Sequence, residues 1–243
     1  VMSVGVNYLR EHVKEDTRIH YVITNGGGQP NVVPPEAEVW YYLRANKHAD
    51  VEEYFEWLKE IADGAARITR TKLTTVQVDA DMHEVLPNRA LAEAIHKNLE
   101  LVGPPKFTEE EKAFARKTQA PLGRELDRAL SEVIEPLPAQ PEQGMASTDV
   151  GDISWFVPVG QLSAATYTWG APGHSWQIVA CTGTSIGEKG MMVAAKALAA
   201  TAIDLFTTPA LIERARADFK AIRDPLKFVT LIPEGQKAPR AIR

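Results

Sequence analysis

A long apolar helical pattern near the carboxyl end constrains the fold of this chain more than any other feature. Residues 186–206 have helical spacing, and Ser185 with Glu188 has the pattern of an N-terminal cap. Apolar side chains occupy nearly the whole circumference of the predicted helix: Met191, Met192, Val193, Ala194, Ala195, Leu198, Ala199, Ile203 and Phe206. A helix with so little polar surface is predicted to lie buried within a larger α/β domain.

The amino-terminal segment has the pattern of a helix followed by a β-hairpin. Residues 2–14 have helical spacing, and residues 18–24 have the composition of a strand. Asn, Gly and Pro residues within 25–30 separate this strand from an apolar, aromatic run at 37–43. These features predict two antiparallel strands joined by a turn.

A second helix and a third strand are predicted next. Asp50 and Glu53 have the spacing of a capping box, and apolar residues then follow one helical face as far as Ile68. Residues 73–79 alternate between apolar and polar side chains, as a half-buried strand does. The order helix, strand, strand, helix, strand needs one preceding strand to complete a ferredoxin-like sandwich.

The carboxyl-terminal part mixes helical patterns with short apolar runs. Residues 88–101 form an amphipathic pattern, and Thr108 with Glu111 is predicted to cap the helix that follows. The runs at 153–159 and 164–169 have the composition of buried strands. Helices and strands in this order favour an α/β domain.

Composition and charge favour a globular protein and argue against some functions. The 243 residues are 44% hydrophobic and 24% charged, with a net charge of -5 and both signs interspersed, so no basic stripe is available for nucleic acid. The sequence has no run of ~18 uncharged apolar residues and no leader pattern, so we expect a soluble cytoplasmic protein without membrane partners. The single cysteine, Cys181, cannot form an internal disulfide. The helical pattern starts directly at Val1, from which we expect a truncated protein.

Two histidines occupy positions from which an imidazole could take part in chemistry. His174 follows Pro172 and Gly173 at the exit of an apolar run, and a rigid turn that presents one imidazole suits a metal ligand or a catalytic base. His20 lies within the first predicted strand, next to apolar residues. For both, the residues alone leave open a purely structural histidine.

Polar residues in three further places could contact a ligand. Ser147, Thr148 and Asp149 bring two hydroxyls and a carboxylate into one loop, although a turn in which these groups bond their own backbone fits equally. Asn31 lies in a proline-flanked segment that would hold its amide in one orientation. Arg44 ends an apolar strand and could bind a carboxylate bidentately or form a salt bridge with a neighbouring helix.

The remaining titratable groups are interpreted as surface features. Four histidines lie in polar sequence and are expected to be solvated: His12, His48, His83 and His96. The glutamates at 52–53 and 109–111 occupy predicted first helical turns, where the helix dipole favours negative charge. The segment 183–189 lacks the spacing of a phosphate-binding loop.

Several motifs together resemble one known family. They are V-G-V-N-Y-L-R-E-H at 4–12, R-I-H-Y at 18–21, I-T-N-G-G with P-N-V-V at 23–33, P-N-R at 87–89, S-T-D-V-G-D-I-S-W at 147–155, and G-M with A-A-K at 190–196. This set resembles the aminobenzoyl-glutamate utilisation protein B-like amidohydrolases. That family belongs to the zinc-peptidase superfamily, with aminoacylases, glutamate-releasing carboxypeptidases and succinyl-diaminopimelate desuccinylase. The resemblance covers nearly the whole chain, and the string at 147–155 is its most specific part.

The resemblance implies a fold and a chemistry. It implies a zinc-peptidase-like α/β catalytic domain interrupted by a ferredoxin-like (α+β) lid that often dimerises, as a homodimer or heterodimer. Residues 1–85 would be the lid without its first strand, and 86–243 the C-terminal segment of the catalytic domain. In such enzymes two Zn or Mn ions activate a water that attacks an amide carbonyl. The substrate implied is a small N-acyl amino acid, most similar to aminobenzoyl-glutamate.

The resemblance also implies roles for individual residues. His174 matches the family's last metal-binding histidine. Asn31 matches a lid asparagine that contacts substrate, and Arg44 matches an arginine suited to a substrate carboxylate. His20 is a weaker match, which would face the substrate or the developing oxyanion. Ser147, Thr148 and Asp149 would line the substrate site.

The chain departs from the family in two respects that bear on activity. Many relatives carry glutamate in place of Thr148, so the loop at 147–149 could be shaped for geometry instead of ligand contact. The family's first metal motif and its catalytic double glutamate are absent from the sequence, so we expect this chain alone to be inactive. Two alternatives remain. One is a non-catalytic partner subunit of the same fold, and the other is a module that binds a small molecule through Arg44 and Asn31 without metal.

Overall fold

The protein divides into two compact units, and each unit is built from segments that are not consecutive in sequence. The structure, a computed structural model, describes residues 1–142, 144 and 146–238. Unit 1 contains the described residues within 1–85, 143–152 and 227–243, and unit 2 contains 86–142 and 153–226. The chain therefore passes from one unit to the other four times.

Unit 1 is built on a two-stranded antiparallel sheet covered by two helices. α1 (Met2–Leu9) precedes β1 (Arg18–Asn25) and β2 (Glu38–Arg44), and α2 (His48–Thr69) follows. The strands pair from Arg18 opposite Arg44 to Asn25 opposite Glu38, with an irregularity between residues 23 and 25. The predicted hairpin is therefore confirmed. One face of the sheet and the two helices share the core residues Val6, Leu9, Ile19, Tyr41, Leu43 and Leu58.

The start of α2 differs from the prediction. The helix begins at His48, with Lys47 as its N-cap, and Asp50 lies in the first turn. The backbone N–H of His48 donates to Oε2 of Glu84 at 3.0 Å, so a carboxylate distant in sequence replaces the predicted capping box. Both carboxylate oxygens of Asp50 accept from Nζ of Lys14, at 2.7 and 2.9 Å.

The third strand predicted at 73–79 does not form. Their sequence alternates between apolar and polar residues, but among the described residues no strand pairs with them. The side-chain amide of Gln236 takes the place of a neighbouring strand at Val78. It accepts from the backbone N–H at 3.3 Å and donates to the carbonyl oxygen at 2.6 Å. An alternating pattern indicates that a segment is able to form a strand. The strand itself forms only where a second strand is available to pair with it.

Unit 2 is helical. Its main helices are α3 (Arg89–Val102), α4 (Glu109–Gln119), α6 (Trp176–Thr182), α7 (Ser185–Thr207) and α8 (Pro209–Arg223), while α5 (Val150–Ser154) spans a boundary between the units. The side-chain amide of Asn98 on α3 donates to Thr201 and Asp204 on α7, at 3.1 and 2.8 Å. Unit 2 has two small hydrophobic cores among the described residues. One contains Phe107, Ala115, Leu130, Cys181 and Ile186, and the other contains Ala90, Leu91 and Ala215.

The strands predicted at 153–159 and 164–169 are also wrong. Residues 153–154 end α5, and the remainder of both runs has no regular structure. A short apolar run does not distinguish a strand from a helical or irregular buried segment. Unit 2 thus contains no strand within the described residues, and the predicted α/β catalytic segment remains a prediction.

The long apolar helix forms as predicted, but it is less buried than predicted. Its N-cap is Thr184, whose hydroxyl accepts from the Ile186 N–H at 3.3 Å, one residue before the predicted cap. Several of its large side chains are exposed, and Phe206 is the most accessible at 89%. By length and composition α7 would also be able to cross a membrane, a test that the core helices of many proteins pass.

Candidate functional site

The hairpin places two predicted site residues on one face. His20 pairs with Tyr42, and Arg18 pairs with Arg44. Residues directly opposite each other, and residues two apart along a strand, share a face of the sheet. His20, Tyr42 and Arg44 therefore lie on the face opposite the core, and all three are exposed.

Arg44 is oriented by an aromatic ring. Its guanidinium carbon lies 5.6 Å from the centroid of the Tyr42 ring, a cation–π arrangement. In the described part of the chain no carboxylate forms a salt bridge with Arg44, so the alternative of a salt bridge to a neighbouring helix is not realised there. The guanidinium is free to bind an acidic ligand bidentately.

Asn31 lies in the long connection between β1 and β2. It is part of a turn and is exposed, as is the neighbouring Val33. The turn is closed by the Val32 N–H, which donates to the Gln29 carbonyl oxygen at 3.2 Å. The structure therefore holds Asn31 at the surface of unit 1.

The loop at 147–149 bonds to its own backbone. The Thr148 hydroxyl accepts from the Val150 N–H at 3.3 Å and donates to Asp149 Oδ1 at 3.4 Å. The Gly151 N–H donates to the Thr148 carbonyl oxygen at 3.0 Å. Thr148 thus shapes the turn that leads into α5, while Ser147 and Asp149 are exposed.

His174 stands at an unusual backbone position. It belongs to unit 2, is exposed, and lies just before α6. Its φ of 58° falls in the left-handed region, which costs free energy for a residue with a Cβ atom. Such strain is common where a side chain must be held in one direction for a ligand.

The described residues do not by themselves make a metal site. No group of three or more His, Cys, Asp or Glu side chains converges in residues 1–142, 144 and 146–238 in a way that could hold a metal ion. His174 can offer one imidazole. A pair of ions would need its other ligands from outside this set.

The structure also contains a cluster of titratable groups around two buried histidines, which the sequence did not predict. His48 is only 3% exposed, although it was expected to be solvated. Its Nδ1 atom lies 3.0 Å from Glu52 Oε1, and its Nε2 atom lies 2.8 Å from Asp81 Oδ1. Because both ring nitrogens face carboxylates, these contacts favour the imidazolium form of the ring. Burial alone lowers the pKa of His48, but the hydrogen bonds to Asp81 and Glu52 outweigh burial and raise it.

The His83 ring stacks directly on that of His48, and it too is buried where solvation was expected. The ring centroids are 3.7 Å apart, and Phe228 stacks on the other side of His83 at 4.2 Å. The Nδ1 atom of His83 lies 2.8 Å from Asp152 Oδ1, and its backbone N–H donates to the same oxygen at 2.8 Å. We call His48, Asp81, His83, Asp152 and Phe228 the histidine cluster.

The histidine cluster joins segments that are far apart in sequence. Asp81 also accepts from the Leu231 N–H at 2.7 Å, and burial, which would raise its pKa, is outweighed by hydrogen bonds from His48 and Leu231 that lower it. Its members come from α2, from 81–83, from the start of α5 and from 228 onward. A local pattern could not have revealed this cluster, because each partner is 33 or more residues away.

A cavity of unit 1 contains none of the predicted site residues. It has a volume of about 660 Å³ and is lined mainly by one side of α2 together with Val76, Val78 and Leu231. Its polar lining includes Glu52 and Lys59. The candidate site is therefore the open hairpin face and the loop at 147–149, not this cavity.

The chain is similar to one family of peptidase domains and to several hydrolases. Residues 6–70, all of them in unit 1, match the sequence family described as the peptidase dimerisation domain. Over 96% of its length the chain is 36% identical to the B subunit of p-aminobenzoyl-glutamate hydrolase of Escherichia coli (strain K12), covering 54% of that protein. The resemblance predicted from the motifs is thereby confirmed.

More distant relatives are dipeptidases. The chain is 28% identical to the Xaa-Arg dipeptidase of Mus musculus over 89% of its length, and 26% identical to that of Homo sapiens over 94%. It covers 43% and 46% of these proteins. The chain therefore spans about half the length of the curated relatives it matches, and these relatives are hydrolases by name.

Proposed function

We propose that this chain is part of a metal-dependent amidohydrolase that cleaves the amide bond of an N-acyl amino acid resembling aminobenzoyl-glutamate. The observation that carries the proposal is the 36% identity to the B subunit of p-aminobenzoyl-glutamate hydrolase over 96% of the chain. The Xaa-Arg dipeptidases support the same reaction type, because the bond that joins the two residues of a dipeptide is also an amide.

The hairpin face supports a substrate that carries a carboxylate. Arg44 is exposed, without a salt-bridge partner among the described residues, and held against Tyr42. We propose that Arg44 binds the carboxylate of the amino acid released, with Asn31 as a further contact. His20, on the same face, would stabilise the substrate or the developing oxyanion.

We include two Zn or Mn ions in the proposal because the chain resembles the metal-dependent amidohydrolases. Bound in the complete protein, they would supply an activated water. His174 would contribute one ligand, and the rest of the protein would contribute the others and the general base. On this account the 243 residues alone are inactive, and no product is expected from aminobenzoyl-glutamate with added Mn or Zn.

Assembly with further protein is also part of the proposal. The peptidase dimerisation domain at 6–70 provides a means of pairing, as a homodimer or with a different subunit. Residues 1–85 would serve as lid and pairing domain, and 86–243 as part of the catalytic domain.

The substrate proposal is tested with the complete protein and an Arg44→Gln variant. We expect Arg44→Gln to raise KM for aminobenzoyl-glutamate by roughly tenfold or more, because a charged, bidentate contact is lost. Arg67→Gln is the matched control, since Arg67 is an exposed arginine on α2 that pairs with Asp63. An unchanged KM in Arg44→Gln would remove Arg44 from the substrate site.

The second candidate is a non-catalytic partner subunit of the same fold. It is favoured by the name of the Escherichia coli relative, which describes one subunit of a hydrolase. The two candidates differ in the remainder of the protein. If the remainder contains no metal-ligand motif and no glutamate pair, the partner subunit is favoured and the amidohydrolase proposal fails. A module that binds through Arg44 and Asn31 without metal would bind the substrate in the presence of a chelator.

A further inference from the structure

Asp152 is held from two sides by one residue. Both the backbone N–H and Nδ1 of His83 lie 2.8 Å from Asp152 Oδ1. Because the partner is a carboxylate, the proton on the ring is assigned to Nδ1. We propose that His83 is a positioning residue that holds the loop at 147–149 in place through Asp152, with His48 as its support.

The loop is coupled closely to Asp152. The Gly151 N–H donates to the Thr148 carbonyl oxygen at 3.0 Å, and the Val150 N–H donates to the Thr148 hydroxyl at 3.3 Å. The loop and the first turn of α5 therefore form one hydrogen-bonded piece. Fixing Asp152 fixes the orientation of that piece.

A close backbone approach adds a second point of attachment. A Cβ atom built on Gly151 would overlap the carbonyl oxygen of His83. Glycine is needed here because it lets the two backbones meet directly. The loop is thus attached to His83 both through the Asp152 carboxylate and through backbone contact.

The His83 ring is itself fixed in orientation. It is sandwiched between His48 at 3.7 Å and Phe228 at 4.2 Å, and the residue is 5% exposed. His48 cannot rotate freely, because each of its ring nitrogens faces a carboxylate, Glu52 and Asp81. The ring nitrogen that holds Asp152 is therefore set by contacts on both faces of the imidazole.

A purely structural role would not require this chemistry. Well-packed apolar residues often stabilise a buried site as well as charged groups do, since burial of charge is costly. A buried polar network instead specifies one geometry. Here the geometry specified is that of a loop predicted to contact substrate. That last step, contact with substrate, rests on the proposed function, whereas the positioning of the loop does not.

The test is backbone hydrogen exchange at Val150 and Gly151 in the full 243-residue chain. We expect His83→Phe, which keeps a stacking ring but loses the Nδ1 donor, to raise exchange at both amides by roughly tenfold or more. His83→Asn places an amide N–H near the position of Nδ1 and is expected to restore protection. His96→Phe, which removes a histidine paired with Glu100 in unit 2, is the matched control and should leave both amides unchanged.

The outcomes separate the two proposals. Unchanged exchange at Val150 and Gly151 in His83→Phe overturns the positioning role, as does failure of His83→Asn to protect them better than His83→Phe. If His83→Phe does not fold, Asp152→Ala removes the acceptor of both His83 hydrogen bonds and should raise exchange severalfold. In the complete protein we expect the loosened variant to raise KM more than it lowers kcat. A complete protein that cleaves no amide would refute the proposed function and leave the exchange result valid.

Discussion

The Nε2 atom of His48 lies 2.8 Å from Oδ1 of Asp81, in an environment where both side chains are almost fully buried. A second carboxylate, Glu52, faces Nδ1 of the same ring, the His83 ring stacks on it, and Glu84 accepts from the His48 backbone. The imidazolium of His48 is thus matched by negative groups within unit 1.

This arrangement predicts a loss of stability at alkaline pH. The folded pKa of His48 lies above its ordinary value near 6.5, so its stabilisation is fully present below pH 6.5 and is lost as pH rises through the folded pKa. We expect the free energy of unfolding to fall, from this source, as the pH rises from about 6 to about 9.

Urea unfolding across that range measures the effect. His48→Gln should remove this part of the pH dependence, and His96→Gln should keep it. The Asp81 carboxylate has the opposite effect on the pH dependence of stability. Its folded pKa is lowered, so its stabilisation is lost as the pH falls through that value. Parallel curves for the unmodified chain and His48→Gln between about pH 6 and pH 9 would show that the pair is not charged.

A carboxylate in unit 2 predicts an acid-dependent loss of stability. Glu111 completes the predicted capping box of α4 with Thr108, and it also accepts from Lys189 and Ser185 at 2.6 Å. Burial would raise the pKa of Glu111, but these hydrogen bonds outweigh burial and lower it from 4.5 to about 2. Its stabilisation is therefore present above pH 4.5 and is lost as pH falls towards about 2.

Glu111→Gln isolates the charge, because glutamine can still complete the capping box. We expect this variant to lower the free energy of unfolding by about 2 kcal/mol at neutral pH, and by progressively less as the pH becomes acidic. Glu110→Gln alters an exposed neighbour and serves as the control. A difference that persists undiminished at about pH 3 would show that the ionised carboxylate is not the cause.

Gly151→Ala tests the close approach to His83. The added methyl group would overlap the His83 carbonyl oxygen, so we expect a loss of about 2 kcal/mol in the free energy of unfolding. Gly64→Ala is the matched control, because nothing lies within 4 Å of the added atom and alanine favours the helix. Thermal or urea unfolding should separate the two variants in sign. Equal stability of Gly151→Ala and the unmodified chain would contradict the close contact.

His174→Ala tests the metal assignment in the complete protein. If His174 supplies one ligand, we expect the variant to retain less Zn or Mn after dialysis than the unmodified protein, with one of two ions weakened. His96→Ala provides a control for the loss of a partly exposed histidine. Elemental analysis of the dialysed proteins makes the comparison. The same metal content in all three would exclude His174 from the site.

Local signals in the sequence predicted the elements that are stabilised locally. The hairpin followed from turn residues between two strand-like runs, and α4 followed from the spacing of Thr108 and Glu111. Both depend on residues close in sequence, which a pattern captures. The class of protein was predicted from the resemblance to the amidohydrolases and not from helix or strand patterns, because the resemblance combined short motifs spread over the whole chain.

Features that depend on distant partners were not predictable in this way. His48 was expected to be solvated, yet its partner Asp81 is 33 residues away, and His83 meets Asp152 across 69 residues. The pattern at 73–79 was interpreted correctly as alternating, but a side chain, Gln236, meets Val78 where a strand was expected. An element that needs a partner elsewhere in the chain cannot be inferred from its own residues alone.

Release of glutamate from aminobenzoyl-glutamate by the complete protein that contains this sequence tests the proposed activity. We expect glutamate release with Zn or Mn present, loss of release after chelation, and recovery when metal is restored. Sustained release in a chelator, or no release with either metal while the protein is folded, would contradict the assignment as a metal-dependent amidohydrolase.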